Sequence, residues 1–516
     1  MSAGAARQTR DLVVECIERY RGQPAVVDVL QAQLRRLDEP LRLALAGRVK
    51  AGKSTLLNAI VGEELAPTDT GECTRIVTWY RYGEVPSVRL VPRQGEPQPL
   101  PVRRDDGRLQ LDTGDRPAHE VARLEVTWPA PALREITVVD TPGIASLSKE
   151  VSARATEVLA PGGASSEVDA VVYLMRHLHA SDAELMEAFR EASVGGASPV
   201  STVAVISRAD EIGGGRIDAM VAAGRIADRY RDDPRVRALA LDVVPVAGLL
   251  AQGSRTLRQV EFDALRELSR LNAHDRDALM VSADRFTSHE HPGLVVAVPD
   301  VRRRLLSRLG FYGVRLATAL LRGPTLTAGG LSRELARRSG LGPLREAVTT
   351  QLGQRAELLK VRSVLGALQR LLEAHPLPDG TGDELREQVE ALLADDHALV
   401  ELEWLARLRR GEPEGLDDRL RTEAEHLLGV VGSSPELRLR APRGREPTGG
   451  GVPRAAAEDA LDRWRRLLVD PLTEPRDLPL ARTVVRSLDE VLLDLSDPVR
   501  EAEDGRAHTV SRAGGP

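Results

Sequence analysis

The sequence predicts an α/β domain with a mostly parallel sheet, extended by an α-helical neck or stalk. Three observations predict it. Apolar strand-like runs alternate with helical patterns between residues 41 and 246, which builds a sheet covered on both faces. The first run, Leu41–Ala46, leads into Gly47-Arg-Val-Lys-Ala-Gly-Lys-Ser-Thr55 and then an apolar helix start at Leu56. G-x-x-x-x-G-K-[ST] between a strand and a helix is a phosphate-binding loop. From about Arg255 onward strand signals thin out and helical stripes take over.

In chain order, residues 1–38 read as two helices. Val13, Cys16, Ile17 and Tyr20 form one stripe, and Val27, Leu30, Leu34 and Leu37 a second, with Gly22 and Pro24 between them and Pro40 as the stop. Pro67 to Arg75 is turn-rich and enters a strand, Ile76–Tyr82. Residues 91–120 read as a surface excursion with a hairpin. Further strands are Arg123–Trp128, Ile136–Val139, Ala170–Met175, Thr202–Ile206 and Val243–Val246, with helices expected over 150–160, 182–192 and 216–230. In such a sheet ligands sit at the carboxyl ends of the strands, so Gly47, Asp140 and Asp210 should converge. Residues 301–355 look helical. Val361, Val364, Leu365, Leu368, Leu371 and Leu372 form one stripe, and Val484, Leu488, Val491, Leu492 and Leu495 another. The glycines within 442–453 make a flexible loop, and the tail after Pro498 is polar. The expected organisation is 1–38 neck helices, 39–352 nucleotide domain, 353–498 helical stalk or neck, and 499–516 disordered tail. The stripes of residues 10–38 need a partner, expected among the C-terminal helices, including 484–495.

Composition narrows the function. A chain of 516 residues, 42% hydrophobic, supports two or three domains. Aromatics are only 3%, so the core is built from Leu, Val and Ala. A net charge of -6 argues against a dedicated nucleic-acid binder. Two distant cysteines, Cys16 and Cys73, fit a reducing cytoplasm rather than a disulfide scaffold. Met1 to Arg10 lacks the apolar core of a signal peptide, and no run approaches the ~18 apolar residues of a membrane span. Any membrane role is therefore expected to be peripheral.

The motif residues define a chemistry. Gly47 and Gly52 let the loop turn tightly and aim its N–H groups inward, across Ala51 and Thr55. Lys53 reaches the β- and γ-phosphates, and Ser54 offers a hydroxyl to Mg²⁺. Asp140-Thr-Pro-Gly143 follows a buried strand; Asp140 suits Mg²⁺ through water and the Gly143 N–H suits the γ-phosphate. Thr74 is the expected switch threonine and third metal-sensing residue, with Thr70 and Thr68 competing. Ser207-Arg-Ala-Asp210 stands after a strand where guanine-nucleotide enzymes carry [N/T]-K-x-D. There Asp210 would accept two N–H donors from guanine, Ser207 keeps a hydroxyl, and Arg208 lays a cationic stem over the base. A helix N-cap is the other reading of Asp210. Ile144, after the second motif, is apolar and cannot orient the attacking water.

On these motifs the sequence resembles the bacterial dynamin-like GTPases, and within them the actinobacterial isoniazid-inducible IniC group. The likeness runs through Glu39–Gly47, Lys50–Thr55, Ala66-Pro-Thr-Asp69, Thr74–Trp79, Val139–Gly143, Ser207–Gly213 and Val244–Leu250, with Arg338-Ser-Gly-Leu341 and Leu344 as the domain end. The resemblance implies GTP and GDP as ligands with Mg²⁺, Val246 and Ala247 beside the base, and GTP hydrolysis. It implies self-association through the GTPase domains, peripheral contact with the inner face of the plasma membrane, a paralogous dynamin-like partner, and no nucleic acid. Lys50 stands where dynamins place a small polar residue that helps hold a monovalent cation, and where guanylate-binding proteins place an arginine finger. Remodelling or maintenance of the plasma membrane is the implied role; a GTP-binding regulatory switch or partner subunit without direct membrane activity is the alternative.

Overall fold

The structure, a computed structural model, describes residues 2–67, 76–105, 108–113, 116–142, 168–176, 199–323, 326–377, 380–440 and 453–496. They fall into two compact units, the first holding residues 3–389 and the second beginning at Glu390.

The first unit is built on strands β1 (Leu41–Gly47), β2 (Thr78–Tyr82), β3 (Ser87–Pro92), β4 (Gln98–Leu100), β5 (Arg103–Asp105), β6 (Arg108–Gln110), β7 (Val121–Trp128), β8 (Ile136–Asp140), β9 (Ala170–Met175), β10 (Thr202–Ser207) and β11 (Asp242–Val246). Nine of them form one sheet in the order β11-β10-β9-β1-β8-β2-β7-β3-β4. β5 and β6 pair antiparallel, supplying the hairpin expected within 91–120. The run β11-β10-β9-β1-β8 is parallel throughout. β9 is buried at every residue and β1 at every residue but Arg42, as a sheet covered on both faces requires. β3 was not expected; its alternation, Val88 and Leu90 inward and Arg89 outward, is too short to stand out. The helices expected over 150–160 and 182–192 lie outside the described residues; that over 216–230 is present as Ala219–Asp232.

Two N-terminal helices, α1 (Ser2–Arg19) and α2 (Pro24–Asp38), precede the sheet. Of the expected stripes Val13, Cys16, Tyr20, Leu30 and Leu37 are buried; in the second, Val26 rather than Val27 faces inward and Leu34 is half-buried. α2 packs on the Ala356–Ala374 helix. Lys360 from that helix donates to the Leu37 and Glu39 carbonyls at 2.7 and 2.9 Å, and the Tyr20 hydroxyl donates to the His375 carbonyl. The other side of α2 reaches the sheet. Arg36 donates twice to Asp169 Oδ1, at 3.0 and 2.6 Å, while Asp169 Oδ2 accepts the Arg42 N–H at 2.8 Å. Both side chains are essentially sealed from water, at 2% and 0% exposure. Arg36→Ala strands the Asp169 carboxylate in the interior, so thermal or denaturant unfolding of the first unit should show a loss of about 3 to 5 kcal/mol. Replacing both partners by apolar residues, Arg36→Met with Asp169→Leu, should recover most of it.

In the second unit the Pro453–Val469 and Leu478–Asp494 helices pack together, and His397–Arg409 and Asp418–Leu427 pack on the latter. Leu402, Leu405 and Trp464 are buried there, together with Val484, Leu488 and Val491 of the stripe expected over 484–495. Among the described residues no helix is long and apolar enough to cross a membrane.

Candidate functional site

The site lies at the carboxyl edge of the parallel strands. β1 ends at Gly47, whose φ is 145°; a Cβ there would stand 2.4 Å from the Leu174 carbonyl oxygen of β9. Only glycine lets the chain leave the sheet against that neighbour. The loop continues through Lys50, exposed and in the left-handed region at φ 62°, to Gly52 at φ 95°, the N-cap of α3 (Lys53–Val61). Thr55 and Ala51 line the inner side of this turn.

Lys53 folds back over the loop and donates to the Gly47 and Arg48 carbonyls at 3.2 and 3.4 Å. Burial lowers its ammonium pKa, and Asp140 pulls it the other way. Ser54 donates to Asp140 Oδ2 at 3.2 Å. The other oxygen, Asp140 Oδ1, is buried with no hydrogen-bond partner among the described residues. Burial pushes the Asp140 carboxyl up to about 6, against Lys53 and Ser54. A serine hydroxyl beside a buried carboxylate with a free oxygen suits a hard divalent cation, so these residues fit Mg²⁺. Bound there, the ion would offset negative charge on the phosphates.

Across the edge, β10 and β11 deliver the second half. Ser207 spends its hydroxyl on the Met175 carbonyl at 3.2 Å, tying β10 to β9. Arg208 is left-handed at φ 51°, and its guanidinium donates to Glu211 Oε1 at 2.9 Å while its stem lines the pocket. Asp210 is 6% exposed, and burial raises its carboxyl to about 6. The turn Ala209–Gly214 has Arg208, not Asp210, in its N-cap position, so the capping reading of Asp210 is set aside. A cavity of about 230 Å³ joins Ala51, Gly52 and Thr55 to Ser207, Arg208, Asp210 and Val246. Ala247 lies fully buried behind Val246 and donates its N–H to the Ser339 carbonyl at 2.8 Å. Thr74, its competitors Thr68 and Thr70, and Gly143 and Ile144 lie outside the described residues. Sequence reasoning missed Leu174 and Leu249, which also line the cavity; an apolar residue near a strand end or in the first turn of a helix carries no local signal of that role.

The model of the dynamin family matches residues 43–193. The Isoniazid-induced protein IniC of Mycobacterium tuberculosis is 38% identical over 495 residues, spanning 95% of this chain and 98% of its own length. The chain belongs to the dynamin family, in its IniC group. The Isoniazid-induced protein IniA of Mycobacterium tuberculosis is 34% identical over 127 residues, 23% of this chain and 19% of that one. The Bacterial dynamin-like protein of Nostoc punctiforme is 32% identical over 114 residues, 20% and 16% of the two chains.

In this dynamin-family domain the site holds buried charge at a cost. Between about pH 4 and pH 6 the folded Asp140 keeps a proton that the unfolded chain has lost. Stability therefore falls as pH rises through that window, and the cost is complete above it. The distance from 3.8 to about 6 corresponds to on the order of 3 kcal/mol. Asp140→Asn should accordingly raise the melting temperature of the ligand-free protein by a few degrees at pH 7.5, an advantage that shrinks towards pH 4. Added Mg²⁺ and nucleotide should then stabilise the wild type and not the variant.

Proposed function

We propose that the chain binds GTP and GDP with Mg²⁺, hydrolyses GTP, and pairs through its nucleotide domains. The observation that carries this is the meeting of Ser54, Asp140 and Lys53 at a loop whose Ala51, Gly52 and Thr55 share one cavity with Asp210. Lys53 is held by loop carbonyls that a phosphate group can replace as acceptors. Ser54 and Asp140 would hold the metal, with Thr74 as the proposed switch threonine and the Gly143 N–H at the γ-phosphate. Asp210 would read the base, Arg208 would cover one face, and Val246 and Ala247 would close the other side. Residues 1–38 with the helices after 353 would act as neck and stalk, a reading supported by the seating of α2 on Ala356–Ala374.

The proposed role is to couple this cycle to remodelling or maintenance of the plasma membrane from its inner, cytoplasmic face, as a peripheral protein, with a paralogous dynamin-like chain as partner. The net charge of -6 favours a second reading, a regulatory or partner subunit without direct membrane activity, since an acidic chain gains nothing from anionic lipid. Calorimetric titration with GTP, GDP and ATP, followed by phosphate release with and without liposomes of anionic lipid, tests both. Tight GTP and GDP binding with liposome-stimulated turnover supports the membrane role. Turnover indifferent to liposomes, and no co-sedimentation with them, supports the second reading; equal affinity for ATP and GTP overturns the guanine assignment.

A further inference from the structure

The Pro299–Leu320 helix is broken in its middle. Gly310 has φ 67° and ψ 172°, a conformation reserved for glycine. The break faces the base end of the cavity. A Cβ at Gly310 would stand 2.9 Å from Asp210 Oδ2 and 4.0 Å from Leu249 Cδ1. The neighbouring turns of the same helix hold both loops that form that end. Arg315 donates to the Gly214 and Gly215 carbonyls, at 3.1 and 2.8 Å, just after Asp210. A Cβ on Gly215 would approach the Tyr312 N–H nitrogen at 3.4 Å. On the other side, a Cβ on Gly253 would meet the Arg308 carbonyl oxygen at 2.3 Å, so the Gly248–Arg255 helix after β11 lies directly on the helix before its break.

We infer that the break at Gly310 positions Asp210 and so sets the base specificity of the cavity, an inference that rests on the guanine-nucleotide reading above. Two requirements meet at this point. Guanine presents two N–H donors side by side, and accepting both needs both carboxylate oxygens of Asp210 free to face the base. The carboxylate is also almost buried, so it has no open solvent into which to retreat. A methyl group at residue 310 would stand 2.9 Å from Oδ2, too close for a carbon, so the carboxylate must turn away from the pair. A helix continued through Gly310 instead shifts the turns that carry Arg315 and Arg308, and with them the two loops. The methyl contact alters the base end, whereas the phosphate end, formed by Gly47–Thr55, lines the cavity away from Gly310. Gly310 is therefore a positioning residue that acts through Asp210.

Gly310→Ala is tested by calorimetry with GTP, ATP and inorganic tripolyphosphate, the last reporting the phosphate end alone. GTP affinity should fall about tenfold, the value of one imperfectly paired buried acceptor, while ATP and tripolyphosphate affinities stay within about twofold. Leu249→Ala is the second variant. Leu249 is 37% exposed, so folding is not at stake there, and its loss opens the wall between Gly310 and the cavity. It should lower the GTP-to-ATP affinity ratio by about threefold. A Gly310→Ala protein that keeps the wild-type ratio, or that loses GTP and tripolyphosphate affinity in parallel, overturns the inference. If Gly310→Ala does not fold, an unchanged ratio in Leu249→Ala overturns it. A wild type with no preference for GTP over ATP overturns the guanine reading itself, and this inference with it.

Discussion

Lys50→Ala is expected to lower kcat for GTP by on the order of 10³-fold and to leave GTP affinity within a few-fold of wild type. Lys50 sits at the crown of the phosphate loop in the left-handed region, one of two described non-glycine residues at positive φ. An L-residue held there costs roughly 1 to 2 kcal/mol, and the other such residue, Arg208, lines the same cavity beside Asp210. As the γ-phosphate departs, charge builds on the β–γ bridging oxygen. An ammonium carried by the loop would stabilise that charge more than the bound substrate, which raises kcat rather than affinity. Lys50 is exposed in the single chain, so pairing of two nucleotide domains would aim it. Turnover should therefore rise with protein concentration and should not depend on whether the buffer holds sodium, potassium or choline. Unchanged kcat in Lys50→Ala, which a lysine facing solvent or merely attracting nucleotide would give, or wild-type activity that collapses in choline, rules the finger out.

Asp210→Asn should weaken GTP by on the order of 10²-fold or more and turn preference towards xanthosine triphosphate. The carboxylate is an acceptor at both oxygens, and an amide places a donor against a guanine donor. Xanthine carries a carbonyl where guanine carries its amino group, so the amide matches it. Titration of wild type and variant with both triphosphates reads the inversion directly. The same residue sets a pH limit. With its carboxyl near 6, wild-type GTP affinity should decline as pH falls below about 6, as the acceptor gains a proton. Affinity that is flat from pH 8 to pH 5, or an Asp210→Asn variant with undiminished GTP binding, removes Asp210 from the base site.

The sequence by itself determined the phosphate loop and the placing of Asp140 and Asp210 at the strand ends beside it. Each lies within a few residues of a strand end, and the chemistry demands residue types that spacing displays: glycines where the backbone turns against β9, a lysine and serine at a helix start, an aspartate after a buried strand. It also determined the parallel sheet, because strands buried on both faces read as unbroken apolar runs. Other features were decided only in three dimensions. Arg36 looks like any polar residue of an amphipathic helix until Asp169, 133 positions on, receives it in the interior. Arg255 and Arg345 both donate to the Ala59 carbonyl at the end of α3, from 196 and 286 residues away. Gly310 reads as an ordinary weak point in a helix, yet its missing side chain is the space beside Asp210. Local pattern records what a residue does to its own backbone and face. Which distant carboxylate, carbonyl or methyl it meets is a property of the closed fold, because those partners are brought together only by the strand order and the crossing of helices over it.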